Sequence, residues 1–345
     1  MAVYISFFFI VFLLTFLGGQ FFGRNNIKAI IVPLILTILF AGLRGNIGTD
    51  TFAYKSYFNS IGTDDFNFLT FEPFFLFYTF IIKLIWANDQ FYIFIISLTT
   101  GALIYYNLKL IEEKTLFFLF YFTFYFIMFN MNLMRFGIGM LLISFPYLRH
   151  LRGEKSKNGF FLLGFLTHFS TLFTLIAVIQ KKNFLRILLF FGIFFFLIGN
   201  IFFSKVKTYM LIAFLTMGQF HFDFGLIFEM GILSLMVWIN RKEIKRRTIF
   251  LFVIYVLLRN FAFFFDMLQR FAYLTGFLIY LNFFYKRQSL YTRLLIILLI
   301  LFNLYRSFIF IGNSDKSIET LIANFPGFSS LYSQTRWLPF KFFWQ

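Results

Sequence analysis

The sequence predicts an all-α polytopic integral membrane protein with about 10–12 transmembrane helices, including short or re-entrant ones. Of its 345 residues, 60% are hydrophobic and only 13% are charged, and the mean hydropathy is +0.82. Apolar runs longer than about 18 residues recur along the chain, as is typical of membrane spans. No polar stretch is long enough for a soluble domain, so residues 1–345 are predicted to form a single multi-span membrane domain.

The composition excludes several classes of function. Cysteine is absent, which excludes thiol catalysis, disulfides and thiolate metal sites. The three histidines have no metal-binding spacing, so no protein-built metal site is predicted. The net charge of +17 comes from short basic clusters between apolar runs, which favours a membrane topology signal over nucleic-acid binding.

The basic clusters predict which segments face the cytoplasm, because Lys and Arg accumulate in cytoplasmic loops. No basic residue precedes the first helix, so the N-terminus is predicted to lie outside. The cytoplasmic clusters are Arg24 with Lys28; Lys109 with Lys114; Arg149, Arg152, Lys155 and Lys157; Lys181, Lys182 and Arg186; Arg241, Lys242, Lys245, Arg246 and Arg247; and Lys286, Arg287 and Arg293.

The hydropathy pattern predicts the individual helices in order. Segments 72–87 and 159–180 do not fit simple alternation and are predicted to be dips or pairs of short helices, the second with its tip at His168. Outside loops are predicted near 44–71 and 204–222 and in the tail 312–345, with shorter ones at 88–90, 131–135 and 267–270. The predicted spans are about 3–22, 29–43, 91–107, 115–131, 136–148, 187–203, 223–239, 249–266, 271–285 and 294–311.

A few ionisable residues near the ends of these runs are the most specific signal for function. An ionisable group near the bilayer core costs roughly 2.5–3.5 kcal/mol on insertion scales, so it usually faces an internal cavity. Most of them fall on the outer side of the predicted topology, which indicates a polar, arginine-lined site opening to the extracytoplasmic face. They are Arg44, Asp50, Glu72, Arg135, His168, Asp266 and Arg270.

The first candidate group directly follows the second predicted helix. Gly48 allows a ligand to approach the backbone closely, and Arg44 offers a planar set of donors for a phosphate or carboxylate. Asp50 is a candidate base or sugar-hydroxyl acceptor, and Tyr54 follows it. The simpler interpretation is a helix end whose arginine extends to the lipid head groups.

The later candidates lie between or beside predicted helices. Arg135 is a candidate phosphate clamp or, alternatively, an interfacial anchor. Asp266 and Arg270 are four residues apart, so they either pair with each other or Asp266 orients Arg270 toward a ligand. Tyr273 follows three residues later and is predicted to face the same cavity.

His168 and Glu72 have competing interpretations. His168 is a candidate general base because the topology places it at a break facing outside, although a lone histidine in an apolar run is more often a core residue. Glu72 precedes Pro73, an arrangement typical of a helix N-terminus, so capping is the simpler interpretation. Glu229 and Asp223 near the 223–239 helix are weak evidence for a proton pathway.

These motifs, taken in order, resemble the EpsG family, which is related to the Wzy O-antigen and capsule polysaccharide polymerases. The resemblance runs from the first helix to about residue 290 and does not extend to the tail, which includes Tyr332 and Arg336. It is carried by Arg44-x3-Gly48-x-Asp50-x3-Tyr54, by Arg135 at the start of a helix, by the Phe-x-x-His-x-Ser stretch ending at Ser170, and by Gln269-Arg270-x-x-Tyr273.

The resemblance implies a GT-C-like integral-membrane glycosyltransferase in the bacterial inner membrane, with its active site facing the periplasm. It implies polymerisation of repeat units for O-antigen, lipopolysaccharide, capsule or exopolysaccharide, with donor and acceptor oligosaccharides both carried on undecaprenyl diphosphate. It implies no cofactor or metal; a flippase and a chain-length regulator are expected partners beside the lipid bilayer, and nucleic acid is not. Alternatives are an O-antigen ligase, another glycosyltransferase acting on lipid-linked sugars, and a polysaccharide flippase or transporter.

Overall fold

The computed structural model describes residues 2–48, 50–63, 72–155, 158–174, 224–261 and 266–324 as a series of helices. Two of the elements are not α-helical: a π-helix, Phe126–Asn132, and a 3₁₀-helix, Phe169–Thr174. The α-helices are α1 (Ala2–Phe22), α2 (Lys28–Gly42), α3 (Thr51–Ser60), α4 (Pro73–Ile85), α5 (Asp89–Leu108), α6 (Lys114–Phe124), α7 (Met134–Leu151), α8 (Asn158–Thr167), α9 (Phe224–Ile239), α10 (Arg246–Phe261), α11 (Asp266–Phe284) and α12 (Leu290–Asn324).

The described helices confirm an all-α polytopic membrane protein. Three of them are long and apolar enough to cross a membrane: α1, α5 and the part of α12 from Leu290 to Gly312. A fourth crossing results if α6 and the π-helix, bent by 64° relative to each other, form one broken span. Shorter apolar stretches lie in α2, α4, α9 and α11. The number of about 10–12 crossings stays a prediction, because span 187–203 lies outside the described residues.

Two predicted boundaries are wrong. The predicted span 115–131 is broken after Phe124, because an average over apolar residues does not detect a π-helical bend. The predicted loop 267–270 is the first turn of α11. The predicted span 294–311 agrees with the apolar stretch Leu290–Gly312, although α12 continues to Asn324; the outside position of the tail from 312 stays a prediction.

The two segments that did not fit simple alternation form short elements. Segment 72–87 contains α4, which begins with Pro73 at its first turn and is roughly 20 Å long at 1.5 Å per residue, too short for an ordinary span. In segment 159–180, α8 ends at Thr167 and a 3₁₀-helix begins at Phe169. The predicted break at His168 is therefore confirmed, and residues after 174 lie outside the described part.

Phenylalanine fills the interface between α1, α2 and α6. The rings of Phe7 and Phe40 stack with centroids 3.7 Å apart, and Phe8 and Phe122 lie 4.5 Å apart. All four are buried. The abundant aromatic residues thus serve as packing material between helices, as expected for a generic apolar filler.

Glycines allow α7 and α8 to pack closely. A Cβ on Gly164 would lie 2.6 Å from Cγ1 of Ile143 and 3.0 Å from the carbonyl oxygen of Gly139. A Cβ on Gly139 would in turn lie 3.4 Å from Cβ of His168. This small-residue contact, common between membrane helices, sets the position of His168 against α7.

The basic loops meet at one end of the bundle, which we call the basic end. The backbone N–H groups of Glu112 and Glu113 both donate to the carbonyl of Phe284, at 3.1 and 3.3 Å. The Glu113 carboxylate also accepts a hydrogen bond from Nε of Arg293 at 3.0 Å, and Lys245 contacts the carbonyl of Leu151 at 3.5 Å. These contacts bring the described basic loops together at one end of the bundle. That this end faces the cytoplasm stays a prediction, and Lys181, Lys182 and Arg186 lie outside the described residues.

Candidate functional site

At the opposite end, which we call the site end, α3, α4 and α7 bring together residues that are far apart in the sequence. The hydroxyl of Tyr54 accepts a hydrogen bond from the backbone N–H of Arg135 at 3.2 Å. The guanidinium of Arg135 forms an ion pair with the carboxylate of Glu72. Three of the predicted site residues therefore occupy a single place in the fold.

Glu72 is the centre of this arrangement. It is the N-cap residue of α4 and precedes Pro73 as predicted, but its side chain makes no capping hydrogen bond to the helix. One carboxylate oxygen contacts Arg135, and the other accepts a hydrogen bond from the backbone N–H of Phe169 at 3.3 Å. The side chain is 4% exposed, so the pair is shielded from solvent. Glu72 thus links the start of α7 to the residue that follows His168.

His168 lies at the break between α8 and the 3₁₀-helix. Its Nδ1 accepts a hydrogen bond from the backbone N–H of Ser170 at 3.2 Å and lies 2.7 Å from the Ser170 hydroxyl. Its ring packs edge-on against Phe136, with centroids 5.2 Å apart. A neutral imidazole has one donor and one acceptor nitrogen, so acceptance at Nδ1 assigns the proton to Nε2. We call Tyr54, Glu72, Arg135, His168 and Ser170 the Arg135 site.

Arg44 lies beside this site but is directed inward. Its side chain is completely buried, and it donates to the carbonyls of Ala41, Ile47 (3.0 Å) and Met131 (3.2 Å). Burial lowers the pKa of Arg44 to about 9, which leaves the guanidinium protonated at neutral pH. In this position Arg44 holds the end of α2 against the end of the π-helix.

The loop between α2 and α3 packs on the same π-helix. Gly48 has a φ of +98°, and a Cβ there would clash with the carbonyl of Met131 and lie 2.9 Å from Oδ1 of Asn132. The close approach predicted at Gly48 is thus made by the chain itself. Asp50 precedes α3 without a side-chain capping bond. Asp50 and Tyr54 are four residues apart, which places them on the same side of the helix start.

The helix α11, which includes Arg270 near its beginning, packs against the 3₁₀-helix that follows His168. The side chains of Asp266 and Arg270 lie outside what the structure describes, so their pairing stays a prediction. The ring of Tyr273 is 6.1 Å from that of Phe129 and lies under the guanidinium of Arg259 at 4.9 Å.

A second buried group of charges lies beyond Tyr273. The carboxylate of Glu229 on α9 accepts hydrogen bonds from Tyr255 at 2.7 Å and from Arg259 at 3.0 Å, both on α10. Arg306 on α12 forms an ion pair with the same carboxylate at 3.6 Å. We call Glu229, Tyr255, Arg259 and Arg306 the Glu229 cluster. A single carboxylate here joins three helices.

Arg259 and Arg306 were missed in the sequence analysis, although a signal for them exists. Both lie inside predicted apolar spans, 249–266 and 294–311, as does the weakly rated Glu229 in 223–239. Ionisable residues within membrane spans are rare and usually face the interior of the bundle. Charges at the ends of apolar runs are the clearer signal in a hydropathy profile, because those well inside a run are averaged out by their apolar neighbours.

In a comparison with known protein families, the sequence model of the EpsG family matches residues 27–321. The chain belongs to the EpsG family. This confirms the resemblance noted from the short motifs, and the match extends beyond residue 290 into α12. Comparisons with curated proteins and with solved structures find no match. Membership of the family indicates a polysaccharide polymerase-like role.

Both charged groups of this EpsG-family protein fall within the matched residues. The tail residues Tyr332 and Arg336 lie beyond both the match and the described part of the chain. Among the described residues, no group of three His, Asp or Glu side chains is arranged to hold a metal ion.

Proposed function

We propose that this EpsG-family protein is a polysaccharide polymerase that joins repeat units carried on a polyprenyl diphosphate, of which undecaprenyl diphosphate is the expected form. A hydroxyl oxygen of the acceptor unit bonds to the anomeric carbon of the donor glycan. The bond from that carbon to the diphosphate breaks, and the diphosphate leaves with the electron pair. The hydroxyl proton passes to a base. The growing chain is thereby transferred from one lipid to the next.

The observation that carries this proposal is the position of Arg135. The Glu72 carboxylate and the Tyr54 hydroxyl hold Arg135 at the site end, next to the break at His168. Negative charge develops on the departing diphosphate, and a cation already fixed near that position stabilises it without reorganisation. Arg270, on the helix α11 that packs against the 3₁₀-helix after His168, is proposed as a second cation for the diphosphate.

The hydrogen bonds of His168 support a role different from that of a base. With Nδ1 accepting from Ser170, the Nε2–H group donates to substrate oxygens. Asp50 is then the stronger candidate for the base, because it is a carboxylate on the side of α3 that carries Tyr54. Arg44 and Gly48 support the site by holding the loop in place.

The basic end supports the orientation. Lys and Arg accumulate in cytoplasmic loops, so the basic end faces the cytoplasm and the site end faces outward from the inner membrane. Donor and acceptor would reach the site after a flippase delivers them, and a chain-length regulator would act on the product. No cofactor is proposed.

The test is a gel of surface glycans from a deletion strain complemented with wild type, Arg135→Ala, Asp50→Asn or His168→Ala. Arg241→Ala, which removes an exposed arginine at the basic end, is the control. We expect a glycan ladder from the wild type and the control, and single repeat units from the site variants. Accumulation of complete but untransferred polymer would instead identify a ligase. An intact ladder in the deletion strain itself would refute the polymerase and favour a transporter.

A further inference from the structure

A cavity of about 350 Å³ lies beside the Glu229 cluster. Its volume falls in the usual range of about 300–1,000 Å³ for small-molecule sites. One part of its wall is polar, with the Arg306 guanidinium as the cation, and the other is apolar. The polar lining residues are Thr123, Tyr273, Asn303, Arg306 and Ser307, and the apolar ones are Phe124, Ile127, Met128 and Phe310.

The break between α6 and the π-helix forms one wall of this cavity. The 64° bend lies between Phe124 and Phe126, and the apolar side chains of Phe124 and Ile127, on either side of it, line the cavity. The hydroxyl of Ser307 donates to the carbonyl of Thr123 at 2.9 Å and so fixes the two walls relative to each other. The cavity is therefore a built part of the fold with a polar and an apolar side.

The charges around the cavity suit an anion. Within the described residues the Glu229 cluster has two guanidinium groups and one carboxylate, an excess of one positive charge. Arg306 is the member of the cluster that lines the cavity, and its side chain is 32% exposed, so its guanidinium is accessible there. Arg259 is 5% exposed and does not line the cavity; it contributes through the Glu229 carboxylate that it shares with Arg306.

The cavity lies at the same depth as the Arg135 site. Arg135 precedes the end of α7 at Leu151 by 16 residues, and Arg306 follows the start of α12 at Leu290 by 16 residues. At 1.5 Å per residue, both arginines are roughly 24 Å from the basic end. Two lipids in the same leaflet would present their phosphates at one depth.

Aromatic rings separate the two places. The ring centroid of Phe136 lies 5.2 Å from that of His168 and 5.1 Å from that of Phe129. The ring centroid of Phe129 lies 6.1 Å from that of Tyr273. Phe129 and Phe136 are both fully buried. The two cationic sites are thus neighbours divided by a thin apolar wall.

We propose that the cavity binds the phosphate-bearing head group of a second lipid-linked substrate, with Arg306 as its charged ligand and Tyr273 and Asn303 as neutral ones. The inference rests on the proposed function, which requires two lipid diphosphates at once. The Arg135 site and the Arg306 cavity each hold one of them. The apolar side of the cavity receives the first part of the polyprenyl chain.

The test measures binding of undecaprenyl diphosphate to purified protein in lipid nanodiscs by native mass spectrometry. We expect two equivalents for the wild type and for the control Arg241→Gln. Arg306→Gln should bind one, with the second weakened by about tenfold or more, as expected for loss of a charge-assisted hydrogen bond. A double variant, Glu229→Gln with Arg306→Gln, keeps the net charge of the cluster at the wild-type excess of one positive charge and should also bind one.

Several results would overturn the inference. Two equivalents bound by both Arg306 variants would remove Arg306 from the site. Equal competition by phosphatidylglycerol would assign the cavity to ordinary membrane lipid, and competition by inorganic phosphate would remove the lipid requirement. Binding is measured without polymerisation, so the two proposals can fail separately. If the protein is not a polymerase but binding still depends on Arg306, the proposed function fails and this site does not.

Discussion

The ion pair between Glu72 and Arg135 allows a structural role to be separated from a catalytic one. Arg135→Ala leaves a carboxylate that is 4% exposed without its cation. Removal of one partner from a buried pair costs about 3–5 kcal/mol, so this variant should unfold at a clearly lower temperature. Glu72→Ala should be destabilised comparably. The double variant removes both charges together and should recover most of the stability.

Activity should not recover with stability. If Arg135 stabilises the leaving diphosphate, the double variant should fold but polymerise about 10²–10³-fold more slowly than wild type, the loss typical of one preorganised donor. Arg135→Lys, which keeps the charge but not the planar guanidinium, should have a polymerisation rate between those of the wild type and the double variant. Thermal unfolding in detergent and the glycan ladder of complemented cells measure the two effects. A double variant with both wild-type stability and a wild-type ladder would refute the assignment of Arg135 to the reaction.

Three further predictions follow from backbone geometry and hydrogen bonding. Gly48→Ala should lower the free energy of unfolding by more than about 3 kcal/mol, because a Cβ there clashes with the carbonyl of Met131. The control Gly62→Ala, at a φ of +86° with nothing within 4 Å, should cost only the roughly 1–2 kcal/mol of left-handed backbone strain. Equal unfolding temperatures for the two variants would contradict the close contact with Met131. Gly164→Ala should separate α7 from α8 and reduce polymerisation. The control Gly159→Ala, which has open space around it, should leave stability unchanged or slightly increased. An equal loss of polymerisation in both variants would argue against the contact between α7 and α8. ¹⁵N NMR of labelled histidine should find the proton of wild-type His168 on Nε2. Ser170→Pro removes the backbone N–H and the hydroxyl that contact Nδ1, so this variant should show a mixture of the two tautomers. A proton on Nδ1 in the wild type would restore His168 as a candidate base.

The helices of this protein differ in how clearly their boundaries are encoded in the local sequence. Hydropathy located α1, α2 and α5 closely, because each is a continuous apolar run that ends at polar residues. It missed the bend after Phe124 and the continuation of α12 to Asn324. A hydropathy profile shows whether a segment is apolar enough to lie in the membrane. It does not show a change from α-helix to π-helix, and it does not distinguish a polar extension of a helix from a loop.

The candidate residues show the same division. Arg44, Glu72, Arg135 and His168 were selected because an ionisable group near the membrane requires compensation, and the structure brings all four to the site end. The selection gives no partners. Glu72 contacts a residue 63 positions away, and Arg44 contacts the carbonyl of Met131 87 positions away. Arg44 and Arg135 look alike in the sequence, yet one is enclosed by backbone carbonyls and the other by a carboxylate.

The sequence by itself determined the membrane class, the family and the break at His168. These properties follow from local composition and order along the chain. Only the tertiary structure decided that Glu72 pairs with Arg135, that Ser170 sets the proton of His168, and that Glu229 joins two arginines beside a cavity. Such partners are chosen by the packing of helices in three dimensions, because a buried charge must find its counter-charge wherever the fold places one.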